Sequence, residues 1–112
     1  MNHIEFQVKG SADEPYIVTF AKHGANVTAL CTCQAGQSRQ SCKHRLAILS
    51  NSTAGVVSSN TADVAVVAGW LPGSSIEAAI AALSHAEAEQ ETAKRKVSAA
   101  KKDLAAAMHA AP

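Results

Sequence analysis

The chain has 112 residues, 47% of them apolar, and a formal net charge of +1. That length holds one small domain, or a mini-domain with an appendage, and the apolar share excludes disorder throughout. The near-neutral balance excludes a strongly basic nucleic-acid binder, while 24 alanines mean that the apolar share overstates the core. A core this thin calls for a metal or a partner.

Ile4, Phe6 and Val8 alternate with polar residues, the period of a half-buried strand. Ser11 to Pro15 is a turn cluster, after which Tyr16, Val18 and Phe20 alternate again. Gly24 can take a positive φ, so the segment around His23 and Asn26 predicts a hairpin turn. Val27 to Leu30 forms a third strand that runs into Cys31. Residues 34–41 read as a polar loop, and Cys42 to Leu49 as the start of a short helix packed on the hairpin. The Ser-, Asn- and Thr-rich stretch 51–60 reads as a linker between a head, residues 1–50, and a helical region, residues 61–112. Thr61 could cap a short apolar helix over 62–71, broken by Pro72-Gly73.

Ser74 stands three residues before Glu77, the spacing of a capping box. From there to Ala110 there is no Gly or Pro, and strong helix formers predominate. A helix over 75–110 would be ~50 Å long at 1.5 Å per residue, about twice the width of a fifty-residue head. Such a helix must project or pack on another copy. Ile76, Ile80, Leu83, Ala86, Ala93, Val97, Ala100, Leu104 and Met108 follow spacings of three, four and seven, with Gln90 breaking the stripe. Glu91 and Arg95 are placed for an i, i+4 pair. The expected fold class is α+β: a small β-β-α head, a short helix, and a long C-terminal helix able to enter a coiled coil. His85 and His109 should be surface residues of that helix, and Trp70 a core or interface anchor.

No Asp or Glu occurs from Pro15 to Ala62, where Lys22, Arg39, Lys43 and Arg45 supply four positive charges. The remainder from Asp63 has five basic and six acidic residues. The opening residues lack the charged and apolar regions of a secretory leader, and no apolar run approaches the ~20 residues of a membrane span. Three cysteines suit a reduced compartment better than a disulfide framework, so a cytoplasmic location is expected. The alanine richness is that of many GC-rich bacteria and their phages.

Cys31-Thr32-Cys33 and Cys42-Lys43-His44 are separated by eight residues. Four N/S ligands is the count that tetrahedral Zn²⁺ takes. On a strand, positions i and i+2 share a face, so Cys31 and Cys33 can converge on one ion. On a helix they do not, so Cys42 and His44 must straddle a helix start, Cys42 in the loop and His44 in the first turn. The Cys42 thiolate then lies at the positive helix end, which favours metal binding. His3 and His23 lack the paired spacing, and a Cys31–Cys33 disulfide would close a strained ring. Thiols packed in the core or used in redox chemistry are the alternative reading.

The pattern Cys31-x-Cys33-x8-Cys42-x-His44 resembles the SWIM-type zinc finger, C-x-C-x(n)-C-x-H, a β-β-α unit. The resemblance covers roughly Tyr16 to Ser50 and includes the apolar strands before Cys31 and the apolar helix after His44. Many members carry proline after the second cysteine, where this chain has Gln34. SWIM fingers often sit inside helicase-like ATPases, transposases and ubiquitin ligases. These 112 residues hold no such domain, so the resemblance implies a metal site and a local fold more than a function.

Four protein ligands leave zinc no open position for water, and the chain has no metalloprotease or deaminase motif and no phosphate-binding glycine loop. The expectation is therefore a non-catalytic protein. Its zinc would fold the head, and its long helix would associate with a second copy or another protein. The alternative is nucleic-acid binding through Lys22, Arg39, Lys43 and Arg45, which without interleaved aromatics would be weak and salt-sensitive.

Overall fold

The computed structural model describes residues 2–110. A three-stranded antiparallel sheet in the order β1-β2-β3 forms the head: β1 His3–Val8, β2 Tyr16–His23 and β3 Asn26–Cys31. Four helices follow: α1 Gln34–Gln37, α2 Lys43–Leu49, α3 Asp63–Ala68 and α4 Ser75–His109. The architecture is α+β, a small sheet followed by short helices and one long C-terminal helix.

The apolar alternation sets the register. Ile4 faces Phe20 and Phe6 faces Val18 across β1 and β2, while Val18 faces Cys31 across β2 and β3. Cross-strand partners share a face, so these side chains form one apolar layer. Phe6 and Phe20 are fully buried in an edge-to-face pair, 6.0 Å between ring centroids. Such a pair adds about 0.5–1.5 kcal/mol beyond its area burial. Ile48 and Leu49 of α2, Val64 and Val67 of α3, and Trp70 complete the cluster. Trp70 is thus a core anchor. Gly24, at φ +62, opens the two-residue β2–β3 turn, whose backbone twist matches the strands.

Residues 51–60 lie along β1. Lys9 N–H donates to the Gly55 carbonyl and Val57 N–H to the Gln7 carbonyl, both at 2.8 Å. Ser58 Oγ accepts from Gln7 N–H at 3.1 Å, and Asn60 Nδ2 donates to the Glu5 carbonyl at 2.8 Å. The polar side chains of this stretch thus continue, off the backbone, a ladder that Val56 begins as a bridge to Val8. Asn51, at φ 65, ends α2: its N–H bonds the Ile48 carbonyl and Ser52 N–H the Ala47 carbonyl, a Schellman motif.

Thr61 does not cap α3 with its side chain. The helix is entered through backbone bonds, Asp63 N–H to the Asn60 carbonyl and Val64 N–H to the Thr61 carbonyl. At α4 the expected box forms in a shifted version. Ser74 Oγ accepts from Glu77 N–H at 3.2 Å, but the Glu77 carboxylate takes Gly73 N–H, since Ser74 N–H already bonds the Leu71 carbonyl.

The chain divides into two compact units, Met1–Ala78 and Ala79–Pro112. In the first, Ile76 packs against the core cluster. In the second, every described residue from Ala81 onward is exposed. An i, i+4 contact there joins His85 Nε2 and the Glu89 carboxylate at 2.8 Å; among the described residues Glu91 and Arg95 form no salt bridge. No helix among the described residues is long and apolar enough to cross a membrane.

Candidate metal centre

Cys31 ends β3 opposite Val18, on the core face of the sheet. The next two residues are held tightly. Thr32 exchanges two bonds with Ile17, N–H to carbonyl at 3.1 Å and Oγ1 from N–H at 2.9 Å, and Gln37 Nε2 donates to the Thr32 carbonyl at 2.7 Å. Cys33 is the N-cap of α1, and its sulfur accepts the Gly36 N–H at 3.4 Å. The expected polar loop therefore begins with a helical turn. A sulfur does there what a Ser or Asp oxygen does at an ordinary helix start.

The chain leaves α1 through Arg39, at φ 60, whose N–H and that of Gln40 bond back to the Gly36 and Ala35 carbonyls. This left-handed exit returns it to Cys42, the extended N-cap of α2. The Cys42 sulfur makes no backbone cap bond and instead accepts Arg45 Nε–H at 3.1 Å. His44 lies in the first turn of α2, so Cys42 and His44 straddle the helix start as their spacing demands. The His44 ring leans on Tyr16, 5.1 Å between centroids, and its Nδ1 stands 3.8 Å from Cys31 Sγ.

The ligand atoms of Cys31, Cys33, Cys42 and His44 all lie within 4.8 Å of one another, with the three thiols buried and free. Tetrahedral zinc, with bonds of about 2.3 Å to sulfur and 2.0–2.1 Å to nitrogen, sets its ligands about 3.5–3.8 Å apart. The Cys31–His44 separation already has that value, and the others need contract by about 1 Å at most. The residues fit such an ion. A hollow of about 420 Å³ lined by Ser11, Tyr16, Cys33, Cys42 and His44 provides an approach.

The electrostatics of the metal-free cluster are divided. Burial, followed by the neighbouring Cys33 and Cys42 sulfurs, pushes the Cys31 thiol up to about 12. Burial also opposes ionisation of Cys42, but Arg45 outweighs it and holds this thiol below its ordinary value. Burial, with Lys43 adding like-charge repulsion, keeps His44 below its ordinary value and so in the neutral form that binds metals.

The four basic residues singled out by sequence are not placed alike. Lys43 and Arg39 are exposed on the segments that carry the ligands. Arg45 turns inward: besides Cys42 it donates from Nη1 to the Ala29 carbonyl at 3.1 Å and from Nη2 to the Gln40 carbonyl. Lys22 pairs with Val27, while Cys31 pairs with Val18, which puts Lys22 about 13 Å along the strand from the site. His3, His23, His85 and His109 are exposed and stand outside the cluster.

Three supporting residues escape a reading by ligand spacing. A Cβ on Gly36 would stand 2.2 Å from the Cys31 carbonyl oxygen, and one on Gly10 would stand 2.2 Å from the Tyr16 ring and 3.3 Å from His44 Nε2. Tyr16 itself buttresses His44. The glycine inside the spacer between ligand pairs was a visible signal for the first; no local pattern points to the other two.

Comparison with protein-family models, with curated proteins and with solved structures returned no match.

Proposed function

We propose that this protein is a zinc-binding, non-catalytic interaction module of SWIM type, in which zinc consolidates the head and α4 associates with a second copy or with another protein. The observation that carries the zinc reading is the convergence of Cys31, Cys33, Cys42 and His44 within 4.8 Å. Three thiols this close cannot all ionise without a cation among them, and burial without one drives Cys31 to about 12. His44 would coordinate through Nδ1, the nitrogen nearer Cys31, with its proton on Nε2. Thiolate-rich donors select zinc among the abundant hard and borderline cations. Four protein ligands complete a tetrahedron, so the ion's contribution is folding energy rather than Lewis-acid chemistry.

Elemental analysis of the purified protein should give about one zinc per chain, and a strong chelator should unfold the head. Metal-free protein with the same circular dichroism and melting curve would sink the reading. For α4, the supporting observation is a continuous helix whose Leu83, Val97, Leu104 and Met108 are all more than half exposed.

Nucleic-acid binding is the second reading, favoured by the stretch from Pro15 to Ala62 that holds no acidic residue. The inward turn of Arg45 leaves Arg39 and Lys43 as the two of these basic residues exposed on the segments that carry the ligands. A titration with duplex DNA at low salt decides it, and no binding there ends it.

A further inference from the structure

The second unit presents a face with a strict seven-residue repeat. Leu83, Val97 and Leu104, with Gln90 among them, recur every seven positions and are exposed at 51%, 54% and 56% in the three apolar cases. Three residues after Leu83, Gln90 and Val97 stand Ala86, Ala93 and Ala100. The seam is therefore large at one heptad position and small at the other, throughout. Charge is segregated along the same helix. Glu87, Glu89 and Glu91 precede Lys94, Arg95 and Lys96, and on either side of the seam lie Glu87 with Lys94, and Glu89 with Lys96.

We propose that α4 pairs with α4 of a second copy as an antiparallel two-helix coiled coil whose two-fold axis lies between Glu91 and Thr92. This rests on the reading of α4 as an association surface and specifies its partner, direction and register. In that register Leu104 packs on Ala79 of the second copy, Leu83 on Ala100, Val97 on Ala86 and Gln90 on Ala93. Every layer then joins one large side chain to one alanine, so the helices keep a single close separation. The parallel arrangement stacks Leu83 on Leu83 in one layer and Ala86 on Ala86 in the next, which no single separation satisfies. The charges favour the same choice. Antiparallel pairing sets Glu87 against Lys94 and Glu89 against Lys96 of the second copy, each twice by symmetry. Parallel pairing sets Lys96 against Lys101, like against like. The two Gln90 side chains meet near the axis, where a polar residue in an apolar seam fixes register.

The test places the photoreactive residue p-benzoylphenylalanine at Lys101, on the flank of the seam, in the full chain as purified. Sedimentation first establishes the oligomeric state. A dimer whose cross-links map to residues 79–83 is the expected result. Those residues lie about 30 Å away along a single helix, so such a link joins two chains. A dimer whose links stay within residues 97–105 overturns the antiparallel pairing while leaving self-association intact. A monomer at high micromolar concentration overturns both and leaves the face to an unlike chain. Independently, the Glu87→Lys/Glu89→Lys variant should self-associate at least about tenfold more weakly at low salt, and adding Lys94→Glu/Lys96→Glu should restore it. Undiminished association of the first variant contradicts the register.

Discussion

Replacing Arg45 by methionine would remove the guanidinium and keep most of the apolar stem. Three acceptors lose their donor: the Cys42 sulfur, the Ala29 carbonyl and the Gln40 carbonyl. Gln40 is exposed, so water replaces that bond and little is lost there. The other two are part-buried, and a bond from a charged donor is worth about 1.5–3 kcal/mol, more than a neutral one. Allowing for partial solvent access, the loss is about 2–4 kcal/mol, or a fall in Tm of about 10 °C or more for a head of this size. Metal affinity should fall as well, by about 10- to 100-fold, because the Cys42 thiolate loses the group that holds and compensates it. Arg45→Lys should recover little, since one ammonium cannot serve acceptors spread over β3, the returning loop and the start of α2. Thermal unfolding of zinc-loaded protein reads the first effect and competition with a chromophoric chelator the second. If Arg45→Met matched the parent in both, the account of Arg45 as the clamp of the site would be wrong.

Gly36→Ala should destabilise the zinc-loaded head by about 1–3 kcal/mol in urea unfolding, because the new methyl meets the Cys31 carbonyl backbone rather than a yielding side chain. An unchanged midpoint would show that the α1 turn is looser than described. Arg39→Gly removes a charge at a backbone position that suits glycine, so it should hold or raise stability by up to about 1 kcal/mol while lowering any affinity for DNA; a clear loss of stability would mean that the Arg39 side chain supports the loop.

The strands were legible because Ile4, Phe6, Val8, Val18 and Phe20 each lie on the buried side of a period-two pattern that the register then repeats. The long helix was legible from its composition and from Ser74 at its start. The ligand quartet was legible because two i, i+2 pairs constrain backbone as well as chemistry. What the pattern hid depends on bonds between distant atoms. The α1 turn is capped by a sulfur, which no propensity scale counts as a cap. Arg45 looks like a surface charge until Ala29 and Cys42 come to its side. Thr61 has a capping residue's identity, but the chain enters α3 already in a helical conformation, so the hydroxyl is not used. The stretch 51–60 has a linker's composition because its Ser and Asn side chains serve as hydrogen-bonding groups against β1.

That last stretch decides how the sheet can meet other molecules. An uncovered outer strand is an invitation to a foreign one, since its free amides and carbonyls will template β-pairing with any extended segment. Along residues 5–9 four outward groups are already taken, the Lys9 amide and the Gln7 carbonyl by backbone and the Gln7 amide and the Glu5 carbonyl by side chains. A strand approaching these residues finds four of its pairing partners occupied. Recognition there is turned toward side chains rather than strand addition.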